Sequence, residues 1–184
     1  MSRSRASLRL RGPAAALAAA AAAAGYVLAV RPWLVQLGAG RGGMYSYDVL
    51  ENAADPGMRS ADRILPEHQR LDVGDFIPLG PDVGLPVRRL ETGSVLGLGG
   101  TMDPRTGKIT SSVAAPAGPR LEFGCTFILQ PVDDRTTRLL SRTRYDYSPL
   151  AVGLILRPVL EPLQFIMERR TLLGIKSRAE ARAR

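Results

Sequence analysis

From Leu121 to Gln130 apolar and polar residues alternate. Leu121, Phe123, Cys125, Phe127 and Leu129 fall on one parity, and Glu122, Gly124, Thr126, Ile128 and Gln130 on the other. A period of two predicts a strand with one face to the core and one to water. Val132-Asp133-Asp134-Arg135 supplies the turn, since aspartate side chains bond their own backbone and tolerate tight conformations. The return strand is expected from Thr136 to about Tyr147. Its outer set is Arg138, Leu140, Arg142, Arg144 and Asp146, and its inner set Leu139, Ser141, Thr143, Tyr145 and Tyr147. That inner face changes from apolar to hydroxyl-bearing. Either the hydroxyls bond neighbouring backbone, or they line a wet or ligand-filled cavity, because unpaired hydroxyls in a dry core cost a few kcal/mol each.

Beyond the hairpin the period becomes helical. Ser148 is expected as the cap and Pro149 as the first helical residue. Leu156, Val159, Leu160, Leu163, Ile166, Met167 and Leu173 recur at steps of three and four, which predicts one buried stripe. Pro158 and Pro162 remove two backbone bonds on one side and predict a kink or a restart. Arg178, Arg182 and Arg184 suit a helix C-terminus.

Earlier in the chain, Trp33 to Leu37 reads as helix and stops at the glycine-rich 38–43. Residues 45–52 read as a short helix capped by Ser46. The stretch 53–71 reads as loop with at most one helical turn. Strands are expected at 76–79, 86–91 and 94–98, with a weaker one near 109–113.

Composition sharpens this picture at the ends. The 184 residues suffice for one sizeable core, and the formal net charge is +8. Arg3, Arg5, Arg9 and Arg11 precede any acid, and residues 169–184 hold six bases against Glu180, so the body between is close to neutral. A nucleic-acid reader would instead carry a basic face within its domain, and no nucleic-acid partner is expected. Residues 1–31 form a separate unit. Four arginines lead into the alanine-rich run 13–30, which is near the length that spans a bilayer. It reads as a single membrane anchor with a cytoplasmic N-terminus, which would make the protein membrane-associated. An export signal and a soluble alanine-rich helix with a cytoplasmic protein are the alternatives.

Candidate chemistry is sparse. One cysteine, Cys125, and one histidine, His68, exclude an intrachain disulfide and most multi-histidine metal sites, and no metal or cofactor is expected. Gly38, Gly40 and Gly43 have the spacing of a dinucleotide-binding loop. A helix leads into them where a buried strand is required, so they read as a tight connection passing close to the sheet. Asp48, Glu51 and Glu168 are the acids available to a cavity, although Glu168 with Arg169 and Arg170 reads more readily as a solvated helix face with local ion pairs.

Several segments together carry a resemblance. Trp33-Leu34-Val35-Gln36-Leu37-Gly38, Gly40-Arg41-Gly42-Gly43, Tyr45-Ser46-Tyr47-Asp48, Leu50-Glu51-Asn52 and Ala61-Asp62-Arg63-Ile64 resemble a bacterial branch of the SRPBCC superfamily, the START and Bet v 1-like, polyketide cyclase-like proteins. Leu71-Asp72-Val73-Gly74-Asp75, Gly84-Leu85-Pro86-Val87, the hairpin and residues 161–176 are similar to the same branch. The resemblance implies an α+β helix-grip fold over residues 32–184, with a curved antiparallel sheet around the C-terminal helix and an apolar cavity between them. It implies a lipid, polyketide or similar hydrophobic ligand. Cyclase or dehydratase chemistry on a cavity carboxylate is the alternative, and a truncated homologue without activity is another. No catalytic set carries over. The expected lining is Trp33, Tyr45, Tyr47, Phe127 and Ser141, with Thr143, Tyr145, Leu163 and Met167. One feature departs from the family: the alanine run occupies the place of the usual first strand, and alanine is a poor strand former. Without that strand the return strand of the hairpin is left as an open edge, which invites self-association.

Overall fold

A computed structural model describes residues 29–54, 57–81, 83–91, 93–110, 118–133 and 136–182. Of the alanine-rich run only Ala29 and Val30 are included, so the anchor reading lies outside the described residues.

Each expected strand appears, with β2 starting three residues earlier and β3 running four residues further than expected. The strands are β1 (Phe76–Gly80), β2 (Val83–Glu91), β3 (Val95–Met102), β4 (Ile109–Thr110), β5 (Arg120–Pro131) and β6 (Thr137–Ser148). They form one antiparallel sheet in the order β1-β2-β3-β5-β6, and β4 continues along β3 beyond the end of β2. The β5–β6 ladder runs in constant register from Arg120↔Ser148 to Pro131↔Thr137. Burial along β6 alternates without a break, with Arg138, Leu140, Arg142, Arg144 and Asp146 exposed. Among the described strands, β6 has a neighbour on one side only.

Residues 29–35 are helical and form α1. The glycine segment then turns back, with Gly38 and Gly43 bonding each other in both directions at 3.1 and 3.0 Å. Ala39 donates to the Pro78 carbonyl at 2.7 Å, and a Cβ on Gly38 (φ +123°) would stand 2.8 Å from Pro78 Cδ. The connection therefore does pass against the sheet, and only glycine fits there. The short helix α2 covers Asp48–Ala54. Ser46 does not cap it. The Tyr47 carbonyl accepts from the Leu50 and Glu51 amides, while the Ser46 hydroxyl donates to the Met167 carbonyl at 3.1 Å.

The last helix, α3, spans Leu150–Arg182, 33 residues, and runs unbroken through Pro158 and Pro162. Ser148 and Pro149 do not start it, because Ser148 still pairs with Arg120 as the final residue of β6. The expected stripe is also not its buried face. Gly153, Thr171, Gly174, Ile175 and Ala179 are buried, whereas Val159, Leu163, Ile166 and Leu173 are exposed. Small residues decide the contact. At Gly174 the helix lies against the Tyr45 carbonyl, and at Gly153 a Cβ would meet Tyr147 at 3.1 Å. Close approach is possible only where no side chain intervenes.

The core lies between α1, the inner face of the sheet and the C-terminal half of α3. It comprises Trp33, Leu34, Leu37, Tyr45, Ile77, Val87, Leu96, Leu98, Phe127, Leu129, Ile175 and Ala179, among others. This is an α+β fold of a six-stranded antiparallel sheet with a long C-terminal helix packed on it.

Candidate functional site

Cross-strand rows carry the sheet's inner face from apolar to polar. Leu96 pairs with Phe127 and Phe127 with Ser141; Leu98 pairs with Cys125 and Cys125 with Thr143. At β6 the row meets α3. Thr143 Oγ1 donates to Glu168 Oε2 at 2.8 Å, Gln164 Nε2 donates to the same oxygen at 3.3 Å, and Ser141 Oγ lies 3.6 Å from Cys125 Sγ. The Ser141 and Thr143 hydroxyls thus meet side chains, one of them a carboxylate held inward from α3, whereas the buried Thr137 and Tyr147 hydroxyls have no hydrogen-bond partner among the described residues. Burial raises the Cys125 thiol pKa, keeping it protonated and poorly nucleophilic. Burial also raises the Tyr145 phenol, with a smaller contribution from Tyr147, onto which it stacks at 6.1 Å.

Two open grooves follow this seam and share Leu172 as a wall. The upper, about 380 Å³, is lined by Ser141, Thr143, Glu161, Gln164, Phe165, Glu168 and Arg169 as well. The lower, about 890 Å³, is bounded by Val30 of α1, by Val132, Thr137 and Leu139 of the hairpin, and by Leu172, Leu173, Ile175 and Ala179 of α3. Arg138, Lys176 and Glu180 stand at its rim. By contrast the pocket beside α1, against Leu34 and Phe127, holds only about 10 Å³.

The expected lining residues do not share one cavity. Ser141 and Thr143 form one wall of the upper groove. Trp33 and Tyr45 meet edge to face at 5.8 Å inside the core, and Phe127 is buried there too. Tyr47 lies on the surface beneath the Arg170 guanidinium, 5.6 Å from its ring centre. Leu163 is exposed, and Met167 is tied to Ser46.

Tyr45 is a structural pivot. It has φ 56°, its ring carries the Arg178 guanidinium at 4.9 Å, and its hydroxyl accepts from Gln36 Nε2 at 2.8 Å. Burial pushes its pKa up to about 12. Arg178 also donates to the Ala61 carbonyl at 2.8 Å and pairs with Asp62 at 3.1 Å, so it pins the 60s loop. Glu51 is buried with neither carboxylate oxygen in a formed hydrogen bond among the described residues. Burial raises its pKa first and Asp48 second; the nearby Met44 and Ser46 amides offset part of the rise without well-formed bonds.

Leu139 was legible as inward, but Leu172, Ile175 and Val30 gave no such signal, because their shared groove joins three elements distant in sequence. Among the described residues no three His, Cys, Asp or Glu side chains are gathered so as to hold a metal ion. No family model, curated protein or solved structure matches this chain.

Proposed function

We propose that the protein binds a small hydrophobic molecule in the lower groove between β6 and the C-terminal half of α3. The observation that supports this is the pairing of about 890 Å³ of open space with walls of Leu139, Leu172, Ile175 and Val30. At the rim Lys176 pairs with Glu180 at 3.8 Å, and Arg138 favours an amphiphile with an acidic head. Burying roughly 300 Å² of apolar ligand surface at about 25 cal/mol per Å² supplies about 7–8 kcal/mol, the scale of micromolar affinity. The resemblance to SRPBCC proteins points to the same ligand class.

Titration with a fluorescent fatty acid tests the reading. The expected result is saturable micromolar binding that falls about tenfold or more in Leu172→Glu, with the melting transition followed in parallel. A well-folded protein that takes up no such probe, or binds it equally after the substitution, removes the proposal.

A further inference from the structure

The first half of α3 is apolar and largely uncovered. Leu154, Ile155 and Val159 are 78%, 73% and 65% exposed, and Leu163, Phe165 and Ile166 are exposed as well. At about 100° per residue these six fall within roughly half the helix circumference, and every position in that arc between 150 and 168 is apolar. The helix is long and apolar enough to cross a membrane, and only 6% of its most apolar 18-residue window is buried. A core helix of this composition would be mostly covered. The two charges nearby, Arg157 and Glu161, lie to one side of the arc and pair at 3.1 Å.

Charge then returns abruptly on the same face. Arg169 and Arg170 are both exposed, about 28 Å along the axis from Leu150. Beside them Tyr47 stacks against Arg170, and α2 adds the exposed Val49 and Leu50. An apolar face ending in arginines and a tyrosine is complementary to acyl chains topped by anionic headgroups. A second copy is a poorer match. Antiparallel pairing would lay Arg169 and Arg170 over the partner's apolar face, and parallel pairing would bring four cations together.

We propose that the face of α3 from Leu150 to Ile166 docks into a lipid bilayer carrying anionic headgroups, with Arg169 and Arg170 as its cationic collar. This surface is separate from the ligand groove and stands without it.

The test uses the full chain with phosphatidylcholine vesicles, with and without phosphatidylserine. Co-sedimentation is expected to be stronger with phosphatidylserine and to weaken about 25-fold in Arg169→Gln with Arg170→Gln. Ile155→Asp with Val159→Asp is expected to remove the part of it that depends on α3, while the melting transition and fatty-acid uptake stay unchanged. A Phe165→Trp reporter is expected to shift to shorter wavelength and to be quenched by acyl-chain nitroxides. A Phe165→Trp reporter that remains in water on the vesicles overturns the proposal, whether or not residues 13–30 carry the chain down with them. So does a dimer dissolved by the aspartates with no vesicle binding, which would make a second copy the occupant.

Discussion

Individual side chains hold the connections that alternation and periodicity leave open. Gln36 is fully buried and all its polar atoms are engaged. Its Nε2 donates to the Tyr45 hydroxyl at 2.8 Å and to the Arg63 carbonyl at 3.1 Å, and its Oε1 accepts from the Leu65 amide at 2.9 Å and from Gln69 at 3.1 Å. The partners lie up to 33 positions away, so nothing local in the sequence marks Gln36 as more than a polar residue in a helix. Glu51 is the converse, a buried carboxyl without such partners. Its pKa is raised on folding, so the native state holds that proton more tightly than the unfolded chain, and stability is lost as pH rises through the carboxylate range. Glu51→Gln is therefore expected to stabilise the protein by roughly 1 kcal/mol at neutral pH, with the gain shrinking on acidification. Thermal melting of both proteins across that range measures it.

Elements were legible in proportion to how few choices their patterns left. The β5–β6 hairpin has one polar and one apolar parity, and both strand bounds came within a residue or two of the expectation. In α3 the signal failed for the opposite reason. Apolar residues surround its first half, so a stripe at steps of three and four fits several faces; of the expected one, Val159, Leu163, Ile166 and Leu173 are exposed and Leu156, Leu160 and Met167 are half-buried. Contact is instead selected by missing side chains at Gly153 and Gly174. Gly174→Ala would drive a methyl group into the Tyr45 carbonyl, whose backbone is fixed by φ 56° and by packing on Trp33. A destabilisation of about 2–3 kcal/mol is expected in denaturant unfolding. Full stability would show that the helix can shift away without loss.

Across the whole molecule, the fold class was readable because strands precede one long terminal helix, and one net apolar face must cover the other. The groove was not, since its walls come from α1, the hairpin and α3 together. The position of β6 matters at this scale. With a described neighbour on one side only and arginines at 138, 142 and 144, it offers backbone pairing that like charges oppose. Self-association is expected to grow with ionic strength as those charges are screened, measured by light scattering. A mass increase that persists in Ile155→Asp with Val159→Asp assigns it to the edge, and a single monomer mass at every salt concentration speaks against it. Finally, α3 is one stiff rod of about 50 Å, held against the sheet side of the molecule near Gly153 at one end and near Thr171, Gly174 and Ala179 at the other, with Leu154, Ile155 and Val159 left exposed. Two holds so far apart on one rod oppose tilting, so the apolar outer face of α3 keeps a fixed bearing relative to the sheet.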